Sequence, residues 1–172
     1  MESAITNKLI LLFVLDKMEI PITEQTMLDL CTVDNDWLNY MECRDTLDQL
    51  VEAGFVYAAE TSESGTMFHI TPDGRICLAH FFVKIHSSLR EEITEYIRVN
   101  RLKYRKKQEY RSDYFKNPDG TYTVVLKIQE PGRPIMELRL LVPDRHKAKT
   151  IYRNWCNDAP RVYSSIYSTL VE

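Results

Sequence analysis

The sequence predicts an α+β protein made of two parts that follow one another along the chain. Apolar residues recur at intervals of three and four in several segments, which indicates amphipathic helices. Short alternating segments between glycine and proline turns indicate strands in two separate places. The formal charge also changes sign, because residues 1–85 carry 14 Asp/Glu and 5 Lys/Arg whereas residues 86–172 carry 11 and 17.

Three helices are predicted at the start of the chain. Asn7–Met18 is dense in leucine, isoleucine, valine and phenylalanine, so this helix is expected to be buried. Thr23 is placed to cap a second helix that runs to about Cys31. The polar cluster at residues 34–36 supplies caps for a third helix, from about Trp37 to Ala53, whose apolar side chains share one face.

A hairpin and a fourth helix are predicted next. Gly54 ends the third helix, and strands follow at Phe55–Glu60 and Thr66–Thr71 with a polar turn between them. Residues 71–73, Thr-Pro-Asp, combine a capping residue, a proline at the first helical position and an acid behind it. The order helix, helix, helix, hairpin, helix is that of a winged helix.

The second half predicts a helix, a three-stranded antiparallel meander and a final helix. Ser88 and Glu91 are spaced as a capping box that opens the fifth helix. Alternating segments bounded by turns, one of them at residues 131–134, predict three strands, at about Glu109–Phe115, at Thr121–Glu130 and around Met136–Val142. The last helix begins near Asp144, and Pro160 is expected to kink or interrupt it.

Two segments carry a resemblance to known regulators. Residues 47–56, Leu-Asp-Gln-Leu-Val-Glu-Ala-Gly-Phe-Val, and residues 68–75, Phe-His-Ile-Thr-Pro-Asp-Gly-Arg, resemble the helix end and second wing strand of bacterial winged helix-turn-helix regulators of the multiple-antibiotic-resistance (MarR) and PadR kind. The resemblance implies a winged helix-turn-helix domain at 1–85. Over its whole length the chain resembles a bacterial family of unknown function that adds an α+β part, here 86–172, which we expect to serve dimerisation or ligand sensing.

The third helix of a DNA-reading winged helix enters the major groove and presents polar side chains to base edges. The residues suited to that role are Asn35, Asn39, Arg44 and Gln49. The same region is strongly acidic, with Asp36, Glu42, Asp45, Asp48 and Glu52 on the helix and Glu60 and Glu63 in the wing. Four or five carboxylates that face phosphates would oppose docking by about 3–4 kcal/mol.

A basic stretch follows in the fifth helix, where seven Lys/Arg lie between Arg98 and Arg111 with Glu109 as the only acid. Such a stretch is the electrostatic footprint expected of a nucleic-acid contact. The residues expected to hold phosphates are Arg101, Lys103, Arg105, Lys106 and Lys107. The alternative is that these cations face the acidic first half, in the same chain or in a partner.

The sequence offers little evidence for an enzyme, a metal or cofactor site, or a membrane protein. The sequence has no glycine-rich phosphate loop and no nucleophile elbow, and its histidines are isolated, so no enzyme activity, metal site or cofactor is expected. The longest apolar run, Leu9–Leu15, is too short to span a membrane, and the first residues lack an export signal, so a cytoplasmic location is expected. The sequence favours a transcriptional regulator that binds DNA as a homodimer, and the alternative is an interaction protein whose acidic winged helix docks a protein partner.

Overall fold

The computed structural model describes residues 2–61, 65–130 and 133–172. The protein is mixed α+β, and of the residues that the structure describes 62% are helical and 24% lie in strands. It forms two compact units, Met1–Tyr104 and Arg105–Glu172. The division between these units falls inside the fifth helix, whereas the sequence placed the domain boundary at 85/86.

The first unit contains the predicted helices and hairpin. A π-helical turn, Asp29–Val33, extends the second helix, and a 3-10 turn, Phe82–Lys84, extends the fourth. The elements are α1 (Glu2–Met18), β1 (Ile22–Thr23), α2 (Glu24–Leu28), α3 (Tyr40–Glu52), β2 (Val56–Thr61), β3 (Gly65–Ile70), α4 (Pro72–Phe81) and the greater part of α5 (Ser87–Glu109).

The small sheet of this unit has the antiparallel order β1-β3-β2. Ile22 of β1 lies opposite Phe68, and Val56 of β2 lies opposite Ile70. The predicted burial of the first helix is confirmed, because α1 supplies the centre of the core with Leu9–Leu15 and Met18. The residues of the predicted wing turn at 62–64, which include Glu63, lie outside the described residues.

Four predicted helix boundaries are wrong. The first helix begins at Glu2 rather than Asn7, and α2 gives way to the π-helical turn after Leu28. The third helix begins at Tyr40 rather than Trp37, because the backbone N–H groups of residues 37 and 38 donate to the carbonyl of Cys31 and keep that segment as a loop. The fifth begins at Ser87, where His86 replaces the expected capping box.

At that boundary the Nδ1 atom of His86 accepts a hydrogen bond from the backbone N–H of Ser88 at 3.3 Å. The hydroxyl of Ser88 also lies 2.7 Å from the same ring nitrogen. Ser88 therefore bonds to His86 and does not serve as the cap that opens α5.

The second unit confirms the predicted meander. Its strands β4 (Tyr110–Lys116), β5 (Tyr122–Glu130) and β6 (Arg133–Val142) pair in that order and are all antiparallel, although Pro131 and Gly132 of the second turn lie outside the described residues. Helix α6 (Arg145–Val171) packs on one face of this sheet, where Trp155 lies among Val124 and Leu126. Pro160 lies inside α6 and does not interrupt it.

Candidate nucleic-acid interface

The outer face of α3 is acidic. Cys43, Leu47 and Leu50 are buried and fix which side of the helix faces solvent. The exposed side carries four carboxylates, at Glu42, Asp45, Asp48 and Glu52. The field of this face therefore opposes a polyanion and favours a cation.

The backbone engages two of the four predicted base readers. The Nδ2 group of Asn35 donates to the carbonyl of Leu30 at 2.9 Å, across the π-helical turn. The Oδ1 atom of Asn39 accepts from the backbone N–H of Glu42 at 2.9 Å and caps α3. Both amides hold the loop between α2 and α3, so neither reaches a base without breaking a helix cap or a turn.

Arg44 and Gln49 differ in their surroundings. The Nε atom of Arg44 lies 2.9 Å from a carboxylate oxygen of Glu24, and this carboxylate raises the pKa of the guanidinium. Its guanidinium also lies 5.9 Å from the ring centre of Tyr40. Gln49 is exposed, and within the described ranges its side chain makes no hydrogen bond to the rest of the chain, which distinguishes it from the other three predicted readers.

Three arginines of the basic stretch are already ion-paired. Arg98 binds both carboxylate oxygens of Glu95, at 2.7 and 2.9 Å. Arg101 lies 2.7 Å from Glu19 and so pairs α5 with an acid of the first 85 residues. In the second unit Arg105 lies 2.8 Å from Glu109. Arg101 therefore fits the alternative raised by the sequence, in which these cations face the acidic first half of the chain.

The other four cations of the stretch differ in their exposure. Lys103 is exposed, with its ammonium 5.6 Å from the ring centre of Tyr104. Lys106 is half-buried, and Lys107 and Arg111 are exposed. No described carboxylate lies within ion-pair distance of Lys103, Lys106 or Arg111. Arg101 and Lys103 belong to the first unit and the other predicted phosphate contacts, Arg105, Lys106 and Lys107, to the second.

A hydrogen-bonded aromatic cluster joins α5 to the loop before α3, and sequence reasoning missed it. Tyr104 is 1% exposed, and its hydroxyl donates to Asp34 and lies 2.9 Å from the hydroxyl of Tyr96. The indole N–H of Trp37 donates to Glu92 at 2.8 Å, and its ring meets that of Tyr96 edge-on. Burial, followed by these hydrogen bonds, raises the pKa of Tyr104. These hydrogen bonds hold the loop that leads into α3 against α5.

An open cleft of about 710 Å³ lies between α1, α4 and α5. Phe13, Leu78 and Phe82 line it together with charged side chains, among them Asp16 and Arg75, which form a 2.6 Å ion pair. Among the described residues no set of histidine, cysteine and acidic side chains is grouped as metal ligands. None of the helices in that part of the chain has the length and apolar character needed to cross a membrane.

Comparison with known proteins identifies the family. A family model described as "Domain of unknown function (DUF4364)" matches residues 7–170, so this mixed α+β chain belongs to that family. No curated protein and no solved structure matches the chain.

Proposed function

We propose that the chain is an interaction protein whose first part is a winged helix, with α3 presenting an acidic surface that binds a basic protein segment. The order of elements from α1 to β3 and the strand order β1-β3-β2 support the winged-helix assignment. The binding proposal rests on one observation: the exposed face of α3 carries four carboxylates, and Glu24 neutralises its single cation, Arg44.

The electrostatic energies at this surface favour a cationic partner over DNA. Two like charges about 6 Å apart in water repel by roughly 0.7 kcal/mol, so the carboxylates of α3 together oppose a phosphate backbone by about 3 kcal/mol. The same field attracts a basic segment and speeds its association. Tyr40 and Met41, which are 50% and 64% exposed in the first turn of α3, add apolar contact area beside the acids.

A labelled decalysine peptide tests this proposal. It should bind the full chain at low salt, and the triple variant Asp45→Asn, Asp48→Asn, Glu52→Gln should weaken binding about tenfold or more, because each lost attraction is worth about 0.5–1 kcal/mol. The matched control removes three exposed acids elsewhere, by Glu2→Gln, Glu91→Gln and Glu172→Gln. Equal losses in both triple variants would mean that only net charge matters and would refute the α3 surface.

A second candidate function, a transcriptional regulator that binds DNA as a homodimer, is favoured by the cations of α5 and β4. Lys103, Lys106 and Arg111 have no described carboxylate partner, and the guanidinium groups of Arg101 and Arg105 could exchange carboxylate for phosphate. In this alternative Gln49 is the base reader that needs no rearrangement, whereas Asn35, Asn39 and Arg44 must first give up the contacts described above.

Binding to random duplex DNA across a salt series separates the two functions. A regulator should bind at low salt with a steep negative log–log slope, because phosphate contacts release counterions. Lys106→Glu with Lys107→Glu should then abolish binding. Absence of DNA binding at low salt, with decalysine binding retained, supports the interaction protein.

A further inference from the structure

Strand β6 forms an open edge of the sheet in the second unit. The strand order β4-β5-β6 gives it β5 as its neighbour among the described strands. In the described part of the chain, no group hydrogen-bonds to the backbone of β6 on the side away from β5. Leu140 and Leu141, on opposite faces of this edge, are 40% and 70% exposed. An edge of this kind can bind a further strand.

The other edge of the sheet, β4, is protected. The backbone N–H of Tyr114 donates to the carboxylate of Asp113 at 2.8 Å, so this group is already bonded. The hydroxyl of Ser112 donates to the carbonyl of Tyr152 in α6 at 3.1 Å. Helix α6 also packs mainly over β4 and β5, which leaves the apolar face of the sheet less covered at β6. A partner strand is therefore expected at β6 and not at β4.

The first hairpin of the meander fixes which backbone groups of β6 point outward. The N–H of Asn117 donates to the carbonyl of Thr121 at 2.7 Å, so odd-numbered residues of β5 bond to β4 and even-numbered residues bond to β6. Over residues 136–142 each residue of β6 lies opposite an odd or even partner like itself, since the irregularity in this pairing lies before residue 136. Glu137 and Arg139 therefore direct their N–H and C=O groups away from β5.

Residues 136–140, Met-Glu-Leu-Arg-Leu, are complementary to their own reverse order about the central leucine. We propose that β6 pairs with β6 of a second copy, in antiparallel orientation, with a two-fold axis at Leu138. This axis sets Glu137 opposite Arg139 of the partner subunit and Met136 opposite Leu140 of the partner subunit. Two three-stranded sheets thereby become one continuous sheet, and the contact closes after two copies.

The backbone and the charges together select this register. An outward-facing residue must meet another outward-facing residue, so the axis passes at a residue and not between two residues. An axis at residue 137 or 139 sets like charges directly opposite each other, and an axis at residue 136 sets Arg139 opposite Arg133 of the partner subunit. An axis at residue 140 sets Glu137 opposite Pro143 of the partner subunit, which has no N–H to donate. Leu138 avoids all of these conflicts.

The ion pairs within one chain are compatible with this contact. Glu137 lies 2.9 Å from Arg139 and 3.7 Å from Lys127, all on the sheet face opposite α6. The side chains of Glu137 and Arg139 are still 42% and 63% exposed. Because a carboxylate accepts several hydrogen bonds, Glu137 can receive an arginine of the second copy without losing its own. The inference does not depend on the proposed function, since it uses only the second unit.

Sedimentation velocity of the full chain over a concentration series tests the dimer. The wild-type chain should dimerise with a dissociation constant of about 10 µM, and it overturns the proposal if it stays monomeric up to about 500 µM. Glu137→Arg and Arg139→Glu should each raise the dissociation constant at least tenfold, because each sets like charges opposite each other twice across the axis. The control is Arg111→Glu, which makes the same charge change at an exposed residue of β4 and should leave the dimer intact. An equal effect of this control would also overturn the proposal.

A mixture of the two single variants tests the register. The Glu137→Arg chain carries arginine at both positions and the Arg139→Glu chain carries glutamate at both, so a mixed pair has opposite charges across the axis. An equimolar mixture should therefore form a heterodimer at a concentration at which each variant alone is monomeric. Circular dichroism of each variant should match that of the wild-type chain, which shows that both fold. If the mixture stays monomeric while the wild-type chain dimerises, β6 does not pair about Leu138.

Discussion

The hydroxyl of Tyr104 donates a hydrogen bond to the carboxylate of Asp34, and this bond joins α5 to the loop that precedes α3. The same hydroxyl lies 2.9 Å from that of Tyr96. Because Asn39, which caps α3, follows this loop, the position of the acidic helix depends on α5 as well as on its own core side chains.

Replacement of Tyr104 by phenylalanine isolates this bond. Tyr104→Phe removes the hydroxyl without changing the ring, and it should lower the free energy of unfolding of the first unit by about 1–3 kcal/mol. Urea denaturation followed by Trp37 fluorescence, in a Trp155→Phe background, measures the change. The control, Tyr57→Phe at a 61% exposed tyrosine, should stay within about 0.5 kcal/mol of the parent.

The same residue predicts a loss of stability in alkali. Burial raises the pKa of Tyr104 in the folded chain above the ordinary value of about 10, so the folded state keeps a proton that the unfolded chain loses. The contribution of Tyr104 is therefore complete below about pH 10 and declines above it, by about 1.4 kcal/mol per pH unit. The difference in unfolding free energy between parent and Tyr104→Phe should be constant from pH 7 to 9 and shrink above pH 10. A difference that stays constant up to pH 11.5 would contradict this assignment.

Local signals in the sequence predicted much of the fold. Thr23 and Thr71 were identified as helix caps, and each accepts the expected backbone hydrogen bond, from Thr26 at 3.1 Å and from Gly74 at 3.0 Å. The alternation of the meander likewise predicted its strands, because Val124, Leu126 and Ile128 share the face that packs with α6. These features depend on neighbours a few residues away.

The candidate site was less predictable because it depends on distant contacts. The start of α3 is set by Trp37, whose indole bonds to Glu92, and by the burial of Leu38. Glu92 lies 55 residues after Trp37 along the chain, so residues 34–40 alone do not indicate this contact. For the same reason, composition selected Asn35 and Asn39 as base readers although the backbone uses both amides. A polar residue type indicates what a side chain can bind, and only the structure indicates what it already binds.

Gly74 belongs to segment 68–75, which resembles the second wing strand of the winged-helix regulators. It lies very close to the backbone of Phe55. A Cβ atom on Gly74 would lie 2.2 Å from the carbonyl oxygen of Phe55. Gly74→Ala inside an exposed helix would ordinarily stabilise by about 0.5–1 kcal/mol. Here we expect the opposite sign, a loss of about 1–3 kcal/mol or more, because α4 must move away from Phe55. Thermal denaturation should show it, with Ile76→Ala at a 57% exposed position of α4 as the control; a gain in stability would contradict the contact.

The two tryptophans of the chain lie in different units, so the stability of the second unit is measurable by itself. Trp155 is 3% exposed, packs between α6 and the sheet, and its indole N–H donates to the carbonyl of Lys127 at 3.1 Å. In a Trp37→Phe background, Trp155 fluorescence follows the second unit alone.

Ala159→Gly in that background should lower its unfolding free energy by about 1 kcal/mol or more, because it removes a buried methyl group and weakens the helix. Ser165→Gly, at an exposed position of the same helix, loses only the helical term and is the matched control. Since α6 holds the sheet through this buried face, we expect the larger loss at Ala159. Equal losses at the two positions would mean that α6 contributes little through packing there.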